Sequence, residues 1–279
     1  MKKTLNFSII GITPENVGEM LRIAKKYEFD AIEATPAQVS DFGLEQTLNA
    51  IKETGVEISS FGMPFRPVET SKEEYAEKLE LFKSQAKLMA DVGAKTCFTF
   101  VRSSSDDYEF EENYKLHIER WKPVAQILKE NNIKLALEFL GPLTSQQKKK
   151  YPFMRTAEEL LPLCKEMGDN VGLLFDFWHW YSGSNNKDVF DHIEGGKYIY
   201  HVHLNDALNN DDPDTLLDKP RKLVGTSGVI DTKYLVSKLK EYNYSGSVVS
   251  ESFSDEIKAI DDLETRVKMT KEAIDKAID

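Results

Sequence analysis

Residues 171–177 read VGLLFDF, a short apolar run that is interrupted near its end by Asp176. Such a run without helical spacing of polar residues is typical of a strand that is buried on both faces. Three further runs also end close to an ionisable residue: 133–140 (IKLALEFL), 199–204 (IYHVHL) and 247–253 (SVVSESF). These segments predict buried parallel strands whose ends carry the chemistry of the protein.

Four similar runs precede these, so eight strands are predicted along the chain. The earlier strands are predicted over 5–11, 29–35, 56–62 and 94–101. Apolar residues three and four positions apart predict helices between the strands. Eight strands that alternate with helices, without an evident linker, predict an α/β fold: a single (β/α)8 TIM-barrel domain over residues 1–279. An open doubly wound sheet is the alternative, but the first strand leads into GITPEN instead of a glycine-rich phosphate turn.

Composition limits the classes of partner. The chain has 36 Lys and Arg against 47 Asp and Glu, a formal net charge of −11, which argues against nucleic-acid binding. The sequence shows no apolar run near the ~20 residues of a membrane-spanning helix and no evident secretory signal. Cys97 and Cys164 fit reduced thiols. We therefore expect a cytoplasmic protein with no membrane partner; a homo-oligomer is compatible with these features.

Two connections are longer than the others, 141–155 and 205–228. Loops that follow barrel strands lie on the catalytic face, so both are expected to cover a substrate. The first contains three consecutive lysines, 148–150. A solvated loop is the favoured interpretation of this charge run, and contact with an anionic substrate is the alternative.

The polar residues at the ends of the last four strands point to a metal site. They are Glu138, Asp176, His203 and Glu251. A glutamate at one strand end is more often a salt-bridge partner, and His203 alone resembles a core histidine, but recurrence on four consecutive strands favours ligands that meet at the barrel mouth. A divalent cation satisfies several buried carboxylates at once. Three carboxylates and one imidazole suit Mn, Mg, Co or Zn, and ligand type alone does not select among them.

Several strings in the second half resemble the motifs of the xylose-isomerase-like barrels. They are LALEFLGP (135–142), NVGLLFDFWHW (170–180), YIYHVHLND (198–206), LVGTSGVID (223–231) and VVSESF (248–253). That superfamily contains sugar phosphate isomerases and epimerases, ketose 3-epimerases, inosose (2-keto-myo-inositol) isomerases and dehydratases, and AP endonucleases. The inosose-isomerase branch is the most similar of these.

The resemblance implies roles for individual residues. Glu138, Asp176, His203 and Glu251 would bind one divalent ion, and His179 would line the site. Arg221 resembles the arginine before the glycine turn of the family and is expected to bind substrate oxygens, with a surface ion pair as the alternative.

Two further residues are candidate substrate contacts. Glu33 ends the second strand, and Trp178 is expected to help exclude water around a sugar ring. A structural ion pair and ordinary packing are the respective alternatives. His201 lies two positions before His203 and is expected to be a neighbour of the ligand set, with His203 preferred as the ligand.

The AP-endonuclease branch is disfavoured. It uses extra metal ligands, including early-strand histidines and an Asp-x-His pair before the glycine turn. This sequence has no histidine before His117, and residues 219–224 read KPRKLV.

The predicted chemistry is proton transfer beside a carbonyl group. A metal that polarises the carbonyl oxygen stabilises the enediolate formed on proton loss. Glu138 and Glu251 are expected to act as catalytic acid and base as well as ligands. The predicted protein is a metal-dependent isomerase or epimerase of a sugar, sugar phosphate or inosose, which are small polyhydroxy ketones or aldehydes. A dehydratase of a 3-hydroxy carbonyl substrate and a non-catalytic sugar-binding barrel are the alternatives.

Overall fold

Eight parallel strands close into a barrel in the computed structural model of the protein, which describes residues 1–209 and 211–279. The strands are β1 (Lys2–Leu5), β2 (Ala31–Glu33), β3 (Glu57–Gly62), β4 (Thr96–Val101), β5 (Lys134–Phe139), β6 (Val171–Asp176), β7 (Ile199–Leu204) and β8 (Ser247–Ser250). Each pairs with its sequence neighbours, and β8 returns to β1 with Val248 beside Lys3. The sheet has no free edge, which confirms the predicted TIM barrel.

Helices connect the strands on the outside of the barrel. They are α1 (Val17–Lys26), α2 (Pro36–Phe42), α3 (Leu44–Thr54), α4 (Lys72–Asp91), α5 (Phe110–Glu130), α6 (Leu143–Gln146), α7 (Ala157–Met167), α8 (Phe177–Gly183), α9 (Val189–His192), α10 (Thr232–Glu241), α11 (Asp255–Lys258) and α12 (Leu263–Ile278). Local capping fixes several starts. In α7, Thr156 and Glu159 form a reciprocal capping box that satisfies two backbone N–H groups.

Strand β6 shows why the later strands read as continuous apolar runs. All six of its residues are buried. A parallel barrel strand packs one face into the barrel interior and the other against the surrounding helices, so neither face tolerates polar residues without partners. The polar Asp176 at the end of this strand therefore needs partners, and they are found at the barrel mouth.

The first strand lies earlier in the chain than the predicted range 5–11. Strand β1 ends at Leu5, and the chain then turns. The Asn6 side chain accepts the Ile9 N–H over 3.2 Å, so a local turn replaces the ladder hydrogen bonds of a strand. Ile9 and Ile10 are buried in this turn. The prediction was wrong because the apolar run reflects burial of a loop.

The two long connections meet other loops at the carboxyl ends of the strands. Residues Tyr151–Pro152 of the first pair antiparallel with Ser104–Ser105, which follow β4. Within the second, Asp206 pairs with Lys222. Asn210, also in the second connection, lies outside the described residues. Over the described part of the chain, none of the helices combines the length and hydropathy needed to cross a membrane.

Candidate metal centre

The four residues predicted as metal ligands lie at the carboxyl ends of the last four strands. Glu138 is in β5, Asp176 ends β6, His203 is in β7 and Glu251 directly follows β8. Parallel pairing sets Asp176 beside His203. One oxygen or nitrogen atom from each of the four residues lies within 4.8 Å of the corresponding atoms of the others. The structure thus brings the whole predicted set around one point.

The Nδ1 atom of His203 is the common contact of the three carboxylates. It lies 3.2 Å from Glu138 Oε1, 3.6 Å from Asp176 Oδ2 and 3.4 Å from Glu251 Oε2. The His203 ring packs edge-on against Phe98, with ring centroids 5.8 Å apart. Three carboxylate oxygens and one imidazole nitrogen directed at one small volume are a donor set that suits a divalent cation.

The charge balance of this cluster is consistent with a cation site. Burial and the neighbouring Glu251 raise the pKa of Glu138 to about 8. Burial opposes ionisation of Asp176 too, but Arg221 holds the pKa of that carboxyl below its usual range. Burial would lower the pKa of His203, yet the facing carboxylates, led by Glu251, raise it well above its ordinary value. Either protons on Glu138 and His203 or a divalent cation can balance the three carboxylates, so the residues fit a metal.

Arg221 is buried beside the cluster and joins three acidic groups. Its Nη1 donates to Asp176 Oδ2 over 3.0 Å and to Glu251 Oε2 over 2.8 Å. Its Nη2 donates to Asp218 Oδ1 over 2.9 Å. The side chain is only 1% exposed, so the interpretation as a surface ion pair does not apply.

The loop that carries Arg221 is fixed by Asp206, the last residue of the string YIYHVHLND. The Asp206 carboxylate accepts the backbone N–H groups of Ser227, Gly228 and Ile230 over 2.8 to 3.0 Å. Its backbone also exchanges two hydrogen bonds with Lys222. These bonds tie the glycine turn to the end of β7, which places the adjacent Arg221 over the barrel mouth.

His179 is held in one orientation. Helix α8 begins after Asp176, whose Oδ1 accepts the His179 backbone N–H over 2.9 Å. The His179 Nδ1 lies 3.1 Å from the Gly141 N–H, and its Nε2 faces the Arg221 guanidinium. Both neighbours are donors, and a neutral imidazole can accept from only one of them. Burial lowers the pKa of His179 to about 4, so the ring is neutral at pH 7. Its Nε2 lies 3.6 Å from Asp218 Oδ1 and 3.1 Å from Arg221 Nη2.

A cavity of about 260 Å³ lies beside the cluster. Glu138, Glu251, His179 and Arg221 all line it, so one ligand can contact all four. The loops provide the rest of the wall, including Arg102 after β4, Lys148 and Lys149 from the first long connection, and Asp218 and Lys219 from the second. Lys148 and Lys149 are exposed, as expected for a solvated loop, and they also face this cavity.

Glu33 lies outside the four-residue cluster. Its carboxylate is 3.0 Å from His201 Nε2 and accepts hydrogen bonds from Asn6 (2.6 Å) and Ser60 (3.1 Å). Glu33, His201 and His203 are themselves close enough to hold an ion. The Glu33 carboxylate is already satisfied by these neutral donors. This second group contains one carboxylate, whereas the four-residue cluster contains three. The geometry therefore favours the structural pair with His201 over a substrate contact.

Trp178 is not among the residues that line the 260 Å³ cavity. It is 2% exposed in α8 and packs against Tyr181, with ring centroids 6.0 Å apart. Helix α8 begins directly after β6 and buries this side chain. The structure thus places Trp178 away from the walls of this cavity and in the packing of α8.

Asn205 and Asp218 contribute to the site although the sequence pattern did not single them out. Asn205 Nδ2 donates to Asp176 Oδ2 over 2.9 Å, and Asp218 accepts from Arg221. Asn205 could have been predicted, because it lies two residues after His203 and side chains two positions apart along a strand point to the same side. Asp218 lies in a long loop without any periodic pattern.

The sequence of the chain matches a known protein family. The family model described as the xylose isomerase-like TIM barrel matches residues 21–277. The chain belongs to this family. The resemblance stated from the sequence motifs is therefore confirmed.

Proteins similar to this chain include an inosose isomerase of Bacillus velezensis. It is 27% identical over 206 residues, which are 73% of this chain and 69% of that protein. A xylose isomerase domain protein from Alicyclobacillus acidocaldarius has a TM-score of 0.86 at 23% identity, over 100% of this chain and 98% of that one. The IolI protein with a bound zinc atom has a TM-score of 0.83 at 21% identity, with the same coverage. The two solved structures show the shared fold.

Proposed function

We propose that the protein is a divalent-metal-dependent isomerase or epimerase of a sugar or inosose. The observation that carries the proposal is the convergence of Glu138, Asp176, His203 and Glu251 around one point beside a cavity. Similarity to an inosose isomerase supports this reaction class. The zinc atom of the IolI protein supports a metal.

The same four residues would hold the cation. When bound there, a divalent cation supplies a Lewis acid that polarises a carbonyl oxygen and favours loss of the proton on the adjacent carbon. The cavity of about 260 Å³ lies just below the ~300–1,000 Å³ of pockets for drug-sized molecules, which suits a monosaccharide or inosose.

Glu138 and Glu251 are the groups of this chain that would move the proton. Both line the cavity, and they come from different strands, β5 and β8. One carboxylate removes the proton and the other returns it. Return to the opposite face of the same carbon gives an epimer, whereas return to the neighbouring carbon gives an isomer.

Arg221 and His179 would orient the substrate. The guanidinium lines the cavity and is fixed by Asp176, Glu251 and Asp218, so its positive charge faces substrate oxygens without further ordering. His179 also lines the cavity and would contact a substrate hydroxyl or carbonyl oxygen. These contacts hold the reacting carbon near the two glutamates.

Solvent deuterium exchange tests the proposal. The metal-loaded protein is incubated in D2O with a panel of ketohexoses and inososes, and the products are examined by proton NMR and mass spectrometry. We expect deuterium at a carbon next to the carbonyl, with no loss of water. The Asp176→Asn variant keeps nearly the same side-chain shape but lacks one negative charge. Substrate incubated with it should take up deuterium no faster than in the protein-free control.

Two outcomes contradict the proposal. Loss of water from a substrate identifies a dehydratase, and tight sugar binding without exchange across the panel identifies a non-catalytic sugar-binding barrel.

A further inference from the structure

The cavity beside the candidate metal centre adjoins a second, larger one of about 830 Å³. The two share Phe100, Arg102, Ser104 and Lys149 in their walls. We call the larger cavity the side chamber; its wall comes mainly from residues 66–72 after β3, residues 100–108 and residues 113–121 of α5. A ligand held at Glu138 and Glu251 can therefore extend past Phe100 into the side chamber.

Cations outnumber anions on the wall of the side chamber. The cationic residues are Arg66, Lys72, Arg102, Arg120 and Lys149, and the acidic ones are Glu69 and Asp107. The chain as a whole has a net charge of −11, so overall composition does not explain this excess. Arg102 is paired with Glu69 over 2.7 Å, and Lys149 with Asp106 over 3.3 Å. The other three, Arg66, Arg120 and the exposed Lys72, have no ion pair among the described residues.

Arg66 is half-buried and forms no ion pair with any described residue. Its guanidinium lies over the Phe100 ring at 3.7 Å, and its Nη1 donates to Thr99 Oγ1 over 2.8 Å. Burial lowers the pKa of Arg66, the charges of Glu69 and Glu138 raise it, and the charge of Arg102 lowers it. This arginine lines the side chamber and stacks on Phe100, which both cavities share.

Two of the three guanidinium nitrogens of Arg120 have no acceptor among the described residues. Its Nε and Nη1 atoms are buried and donate to no group in the described part of the chain, and its guanidinium lies over the Tyr75 ring at 4.5 Å. The neighbouring Trp121 is 3% exposed, and its indole N–H likewise has no acceptor among the described residues. Buried donors without acceptors are rare in folded proteins. The Arg120 charge beside the side chamber therefore has no anionic partner in the described part of the chain.

We propose that the side chamber binds an oxyanion, a phosphate or carboxylate, carried at the far end of the substrate whose carbonyl end lies at the metal centre. Planar guanidinium groups bind such anions through charge-assisted, paired hydrogen bonds. Only the connection to a substrate rests on the proposed function, because the anion site itself rests on Arg66, Arg120 and Trp121.

Inorganic phosphate is the first probe. It is titrated into metal-free protein, because phosphate also binds divalent cations, with chloride keeping the ionic strength constant. Binding is followed by calorimetry and by tryptophan fluorescence, to which Trp121 contributes. We expect saturable binding that weakens ~10-fold or more in Arg66→Gln and in Arg120→Gln, because each change removes a charged donor.

Arg22→Gln, an exposed position in α1, is the matched control and should bind phosphate like the parent. Circular dichroism checks the fold of each variant. Arg66 and Arg120 lie on separate elements, so one variant suffices if the other does not fold. Phosphate binding that does not saturate, or that is equal in parent and both variants, overturns the anion site.

A second comparison separates a substrate group from a free anion. D-fructose and D-fructose 6-phosphate differ by one phosphate group. We expect the phosphorylated ketose to bind more tightly than either fructose or phosphate, and Arg66→Gln to remove this advantage. If it binds no more tightly than phosphate, the link to the substrate is wrong. These measurements need no turnover, so their failure and the failure of deuterium exchange are distinguishable.

Discussion

Arg221 and Asp176 form a buried ion pair at the barrel mouth, with Nη1 of the arginine 3.0 Å from Oδ2 of the aspartate. Asp176 is fully buried and Arg221 is 2% exposed. A buried carboxylate that loses its cationic partner is strongly destabilised. Arg221 therefore stabilises the buried Asp176 and Glu251 carboxylates in addition to facing the cavity.

Removing this partner should destabilise the metal-free protein. We expect Arg221→Met to lower the free energy of unfolding by about 3 kcal/mol, because Asp176 and Glu251 then remain buried without it. Added Mn or Zn should recover part of the loss, because the cation restores the charge balance. Urea denaturation with and without metal measures both effects. The exposed Arg22→Met serves as the control, and an unchanged midpoint in Arg221→Met would contradict the account.

Gly141 should be intolerant of a side chain. A Cβ atom there would lie 2.0 Å from the His179 carbonyl oxygen and 2.8 Å from the Gly183 nitrogen. Gly141→Ala should displace His179 and reduce kcat by about 100-fold, as expected for a misplacement near 1 Å. Gly62→Ala is the matched control, because the nearest atom, from Phe98, is 3.9 Å away. Steady-state kinetics measure kcat for both variants. A kcat equal to that of the parent in Gly141→Ala would contradict the positioning role of His179.

The convergence of Glu138, Asp176, His203 and Glu251 was predictable because ionisable residues interrupt apolar runs at the same place in consecutive strands. Glu138 and Asp176 stand out locally, and the barrel topology then brings them together. The first strand was misplaced because burial of Ile9 and Ile10 gives the same apolar signal in a turn as in a strand. Arg66 escaped prediction because its environment arises only when separate loops meet in the folded chain.

The two glutamates should be needed for turnover as well as for metal binding. Glu138→Gln and Glu251→Gln keep an oxygen ligand but remove the base. We expect each to lower turnover by ~10²- to 10⁴-fold, as is typical for loss of a general acid or base. Rates and metal content are measured on the same samples, with the exposed Glu80→Gln as control. Two variants that bind metal and turn over at the parental rate would exclude the two-base mechanism.

His117 should make the protein less stable in acid. Burial lowers its pKa to about 4, against ~6.5 in the unfolded chain, so the unfolded state binds the proton more tightly. The contribution of neutral His117 to the free energy of unfolding is therefore present above pH 6.5 and is lost as the pH falls towards 4. The complete loss is about 3 kcal/mol. His117→Phe keeps the stacking on Phe153, whose ring centroid is 5.0 Å away, and should remove this dependence.

Urea denaturation at several pH values between 7 and 4 measures the effect. His192→Gln, at an exposed position, is the control and should retain the parental dependence. Equal pH dependence in the parent and His117→Phe would show that His117 does not contribute.

The metal content of purified protein tests the four-residue centre most directly. The parent, His203→Ala and Asp176→Asn are equilibrated with Mn, Mg, Co and Zn, freed of unbound metal and analysed by mass spectrometry of the elements, with circular dichroism as a check of folding. We expect the folded parent protein to retain one tightly bound divalent ion per chain, and both folded variants to lose it. A parent that retains no cation, or full occupancy in both variants, would contradict this expectation.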